Sequence, residues 1–179
     1  NGPQTPARRR VRLGAFINVA TDRSSMFDTV VIATDGSESA TRAVDVALDL
    51  AERFDAEVHA LYVVDEGDVA ASPDELRDEL ADALEAAADE ALGDVRQRAS
   101  RAVSTAVREG RPAPEITQFA DEVDADVVAL GTRGRHGDHG YLLGSVAEAV
   151  VRRCPRPVLT VRQLYGDEED TDDSGVTVV

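Results

Sequence analysis

The chain has no lysine, no tryptophan, one cysteine, one methionine and only seven aromatic residues in its 179 positions. Each shortage excludes something. One cysteine, Cys154, cannot form an intrachain disulfide, which fits a reducing cytoplasm, the expected location. It stands before Pro155 with arginines around it and no evident base, so its expected role is packing, not nucleophilic chemistry. Without lysine there is no Walker-type phosphate loop, GxxxxGK[ST]. No run approaches the ~18 apolar residues of a membrane span, so a soluble protein with no membrane partner is expected. With so few aromatics, the core must be built from Ala, Val and Leu, within an ordinary hydrophobic content of 42%.

Basic charge is scarce as well. Net charge is −16, and all nineteen basic residues are arginine. An acidic surface repels nucleic acid, so none is expected as a partner. A lysine-free acidic chain is expected in the salt-filled cytosol of a halophile, where ions screen self-repulsion. GC-rich codon usage would produce the same bias. Residues 1–25 differ, with five arginines and one aspartate. They read as a basic disordered arm, or as an extension upstream of a true start at Met26, with a nucleic-acid-binding arm as the sharper alternative. At the other end, 164–179 reads as a solvated acidic tail, with six acids and no base from Gly166 onward.

Between them, residues 26–163 read as one domain. Thr29 to Ala33 is an apolar β-branched run, as in a strand buried on both faces of a parallel sheet. Thr34-Asp35-Gly36-Ser37 turns the chain, and Ser37 caps a helix to about Phe54 whose inner face is Ala43, Ala47, Leu50 and Phe54. Glu57 to Val64 is a second strand, with His59 a packing or edge residue. Ser72-Pro-Asp-Glu75 has the form of a capping box. It opens a helix to about Arg98, with Leu76, Leu80, Leu84 (or Ala83), Ala87, Ala91 and Val95 inward and a bend or break at Gly93. Val103 to Val107 is strand three. Pro112 and Pro114 open a helix with Ile116, Phe119, Ala120 and Val123 inward; Val127 to Leu130 and Val158 to Arg162 are strands four and five. Five strands alternating with four helices predict a doubly wound open parallel five-stranded sheet, Rossmann-like, with helices on both faces. Such sheets bind ligands beyond the carboxyl ends of their strands, at the point where strand order reverses. Asp35, Val63 and Gly131 lie at such ends.

The stretch Gly131-Thr-Arg-Gly134-Arg-His-Gly-Asp-His-Gly-Tyr-Leu-Leu-Gly144-Ser145 joins strand four to the last helix. Its first glycines fall every third residue, which does not match the dinucleotide fingerprint GxGxxG. A glycine-rich loop running into a helix start is nonetheless an anion site. Glycines let the backbone approach, and the first-turn N–H groups lie at the positive end of the helix dipole. Ser145 is the expected N-cap. Arg133 and Arg135 either add charge toward phosphates or merely coat the loop. His136 and His139 lack a third ligand, so no protein-built metal site is expected.

The spacing G-x2-G-x9-G-[ST], carried by Gly131, Gly134, Gly144 and Ser145, resembles the signature of the ATP-binding branch of the universal stress protein family. Met26-Phe-Asp-Thr-Val-Val-Ile-Ala-Thr-Asp-Gly-Ser37, Leu61 to Asp65, Leu142 to Val150 and Cys154 to Val161 are similar to its other segments. The resemblance covers roughly Met26 to Arg162. It implies an adenine nucleotide alpha-hydrolase-like fold and a regulatory or protective stress-response module that binds ATP. It also implies a site. Ala33 and Thr34 help form the base pocket, the Val63 backbone contacts adenine, and Asp35 lies beside the adenosine end or the metal. Gly131, Arg133, Gly134, Gly144, Ser145 and Val146 hold ribose and phosphates, which carry Mg (or Mn) in turn. The alternative for Asp35 is that it only bonds its own turn. A homodimer through Val158–Val161 is also implied. No base–nucleophile pair is evident, and Thr-Asp-Gly-Ser-Glu-Ser lacks the double glycine of adenylating relatives, so efficient catalysis is not expected. Slow ATP hydrolysis, nucleotide modification, and nucleotide-free partner binding are the alternatives.

Overall fold

The computed structural model describes residues 26–67, 72–132 and 143–162. The arm 1–25 and the tail 164–179 lie outside the described residues. Five parallel strands, β1 (Thr29–Ala33), β2 (Glu57–Asp65), β3 (Val103–Gly110), β4 (Val127–Gly131) and β5 (Val158–Val161), form one sheet in the order β3-β2-β1-β4-β5. Among the described residues four helices alternate with them: α1 (Glu38–Phe54), α2 (Arg77–Arg98), α3 (Pro112–Glu122) and α4 (Ser145–Arg153). The doubly wound fold expected from the alternation is the fold observed. Strand ends agree to within a residue, except that β3 runs on to Gly110 beside the long β2.

Alternation along the strands divides the core in two. Val30, Ile32, Val58, Ala60, Tyr62, Val127 and Ala129 face α1 and α2; Val31, Ala33, Leu61, Val128 and Leu130 face α3 and α4. Small side chains dominate both layers, and Tyr62 is the largest fully buried one. Cys154 packs half-buried against the second layer, and the His59 ring stands edge-on to Phe119 at 6.3 Å. Both are packing residues. The amino edge of the sheet is tied by Asp126, whose Oδ2 accepts the N–H of Asp28 (2.7 Å) and of Thr29 (2.9 Å).

The second helix departs from expectation. Pro73 stands extended ahead of a 3-10 turn, Asp74–Leu76, and the regular helix α2 starts only at Arg77, with Leu76 at its N-cap. Leu76 is 50% exposed, whereas Leu84, Ala88, Ala91, Leu92 and Val95 are the buried face. Stepping by four residues advances 400°, so a strict i+4 row rotates off the core and Ala88 and Leu92 take over. Gly93 does not interrupt the helix, and a Cβ there would meet nothing within 4 Å.

Many of the arginines answer the surface acids. Arg53 pairs with Asp49, Arg98 with Asp45 and Asp94, Arg101 with Asp55, Arg156 with Asp121 and Asp124. Arg108, on the outer strand β3, lies 5.0 Å over the Phe119 ring and pairs with Glu115 and Glu122 of α3.

Candidate functional site

The strand order places the reversal between β1 and β4, with connections leaving to opposite faces: α1 packs on one layer and α4 on the other. At this crevice Ala33 is paired on one side with Leu61 and on the other with Leu130, and Gly131 with Val161. The ends of β1 and β4 are therefore adjacent, and Thr34 and Thr132 are the first residues beyond them. Thr34 N–H donates to Leu61 O and Thr132 N–H to Val161 O, each at 3.0 Å. Of the residues singled out from the sequence, Ala33, Thr34, Asp35, Val63, Gly131, Gly144, Ser145 and Val146 are described here. Arg133 and Gly134, with Arg135, His136 and His139, lie outside the described residues.

The turn after β1 closes upon itself. Thr34 Oγ1 accepts the Gly36 N–H at 3.2 Å, Asp35 Oδ1 the Ser37 N–H at 3.0 Å, and Ser37 Oγ the Ala40 N–H at 3.2 Å. Ser37 is the N-cap of α1, as expected. The turn reading of Asp35 is thus realised. Gly36 has φ +75°, and a Cβ there would stand 3.3 Å from Ala91 Cβ, so a left-handed residue without a side chain is needed.

The other side of the crevice is finished differently. Gly144, not Ser145, is the N-cap of α4, in extended backbone (φ −74°, ψ 163°) and with no side-chain cap bond. Ser145 is instead the first helical residue and is exposed. The offset arises because Gly144 donates its N–H to Thr132 O at 2.6 Å, while its carbonyl already takes the first helical bond, from Glu148 N–H at 2.9 Å. The N–H groups of Ser145, Val146 and Ala147 precede that bond and have no partner within the helix. They face the crevice end of the sheet with the dipole's positive end.

Gly131 has a reason of its own. A Cβ on it would lie 2.9 Å from Ser39 C and O and 3.0 Å from Ala40 N. The first turn of α1 rests directly on β4, and glycine is required by that approach whatever else binds nearby. Val63 lies on the part of β2 that outruns β1, since Ala33 ends opposite Leu61. Leu61 O faces β1, and by the two-residue alternation so do the peptide groups of Val63, past the point where β1 has turned away. Thr132, which carried no sequence signal, is buried at the join of the two halves, as is Thr34.

Comparison with known proteins agrees with this geometry. Residues 26–162 match the model of the universal stress protein family. A universal stress protein of Methanocaldococcus jannaschii is 39% identical over 143 residues, 78% of this chain and 84% of that protein. The solved universal stress protein UspA from Lactobacillus plantarum superposes with a TM-score of 0.65 at 30% identity, over 75% of this chain and 97% of that one. A universal stress protein solved in complex with cAMP gives 0.57, also at 30% identity, over 76% and 97%. No helix among the described residues is long and apolar enough to cross a membrane. By sequence and by fold, the chain belongs to the universal stress protein family.

Proposed function

We propose that this family member is an ATP-binding regulatory module, with its site at the carboxyl ends of β1, β2 and β4. The observation that carries the reading is the amino end of α4. Its N-cap is a glycine, which has no side chain to accept from the first-turn N–H groups, and it opens at the reversal of strand order. In this reading Gly144, Ser145 and Val146 hold the phosphates, together with Arg133 and Gly134 of the loop and with Gly131 at its root. Adenine lies against Ala33 and Thr34, with the peptide groups of Val63 as its hydrogen-bonding edge. Asp35 lies toward the ribose and the metal while keeping its turn bond to Ser37. A relative solved with cAMP supports an adenine nucleotide as the ligand class.

Magnesium (or manganese) belongs to the nucleotide here. Among the described residues no three His, Cys, Asp or Glu side chains come together as a metal site. Hard cations favour phosphate oxygens, and the bound ion would neutralise the triphosphate beside an acidic protein. The same reading includes a homodimer. β5 is an outer strand with Val158, Leu159 and Thr160 only half-buried, and an open parallel edge of this kind suits pairing with its twofold mate.

The test is to purify the protein in high salt without added nucleotide, denature it, and identify what is released by chromatography and mass. ATP or ADP near one per chain is expected, and the ATP-to-ADP ratio over hours then reads any slow turnover. A protein that releases nothing and ignores added Mg-ATP overturns the reading.

A further inference from the structure

Thr132 immediately follows β4 and continues its ladder through the bond to Val161 O. Alternation fixes the face its side chain takes. Val127 and Ala129 lie under α1 and α2, Val128 and Leu130 under α3 and α4. The Cβ direction of Gly131 runs into α1, so Thr132 falls on the α4 side. Its carbonyl there accepts the Gly144 N–H, which puts the residue at the base of the α4 amino end. Thr132 is 6% exposed, and its Oγ1 is the one buried side-chain polar atom without a hydrogen-bond partner among the described residues.

A buried hydroxyl left unpaired is destabilising, and valine would fill the same space without that cost. Packing gives no reason for an oxygen at this position. Thr34, its neighbour across the crevice, uses its own hydroxyl on the Gly36 N–H. We infer that Thr132 Oγ1 is a donor held for the ligand: with the first-turn N–H groups of α4 it forms a two-part subsite for a phosphoryl oxygen of the nucleotide. The inference rests on the ATP reading above and adds to it a side chain that discriminates for the charged part of the ligand. The helix dipole biases this position toward an anion over a neutral acceptor, and a hydrogen bond to an anion, out of reach of competing water, is the strong kind.

The experiment titrates wild-type, Thr132→Val and Thr132→Ser proteins with ATP and with adenosine by calorimetry, and melts each without ligand. Thr132→Val is expected to weaken ATP about ten-fold, to leave adenosine within about two-fold, and to melt no lower than wild type; Thr132→Ser restores ATP affinity. Unchanged ATP affinity in Thr132→Val overturns the inference while leaving the ATP reading intact. So does an equal loss for both ligands with a lowered melting point, which marks a packing role. A wild-type protein that binds neither ligand overturns the ATP reading itself and this subsite with it.

Discussion

Two helices begin at the same edge of the sheet, one on each side of the β1–β4 crevice, and their amino ends are finished in opposite ways. At α1, Thr34, Asp35 and Ser37 each spend a side-chain oxygen on an N–H two or three residues ahead. At α4, a glycine stands where the cap would be, and among the described residues no side chain closes the first turn. Both are helix starts after a parallel strand, so topology alone does not separate them. What separates them is where the donors go: into the turn at α1, and outward at α4. A helix amino end is an anion site only where its own chain leaves it unfinished.

That contrast can be broken by substitution, and the largest effect is expected at Gly144. Gly144→Asp gives α4 the carboxylate cap it lacks. The prediction is a helix end no less stable, by about 0.5 kcal/mol in its favour, together with a loss of ATP affinity of roughly a hundred-fold, as the carboxylate occupies and repels the phosphate position. Equilibrium unfolding and calorimetry check the two halves separately. Gly131→Ala sharpens the contrast from below. The added methyl meets α1 backbone, not a flexible side chain, so stability should fall by about 2 kcal/mol, visible in denaturant melts without ligand. Any loss of binding in that variant reports the packing of α1 on β4 and is not evidence of a ligand contact.

The mirror experiment is smaller. Ser37→Ala removes the cap bond to Ala40 N–H and should cost about 1 kcal/mol of stability, leaving ATP affinity within about two-fold in the same titration. Smallest of all is a control away from the crevice. Glu122 is held below its ordinary carboxylate range by its hydrogen bond from Arg108, and next by that from Gln118. A group whose folded value is depressed contributes stability above its unfolded value and loses it as pH falls through the folded one. Acidification from neutral pH should therefore weaken wild type slightly more than Glu122→Gln, in parallel melts across the carboxylate range. The group is exposed, so the difference is small and shrinks with salt.

Much of this fold was legible because buried parallel strands are short apolar runs, and Thr29–Ala33 and Val127–Leu130 have almost no other reading. Ser37 was legible for the same local reason: a cap is decided within four residues. The second helix was not. Its apolar residues are mostly alanines, which mark a face weakly, so the drift from Leu84 to Ala88 and Leu92 and the exposure of Leu76 were set by how the helix lies on Tyr62 and its neighbours. At the site, the glycine spacing pointed to the crevice where strand order reverses but could not assign work to each glycine. Gly131 is required by the start of α1, about ninety residues away in sequence, a contact no local pattern carries. Thr132 gave no signal at all, since an unpaired hydroxyl is a property of surroundings.

The central claim is that the open amino end of α4, and not the closed one of α1, receives the nucleotide. One measurement tests it most directly: calorimetric titration of Mg-ATP into wild type, Gly144→Asp and Ser37→Ala, each shown folded by its melting curve. The account predicts one site per chain in wild type and Ser37→Ala, and an affinity roughly a hundred-fold weaker in a fully folded Gly144→Asp. Binding that survives Gly144→Asp unchanged, or that is lost in Ser37→Ala alone, would contradict it.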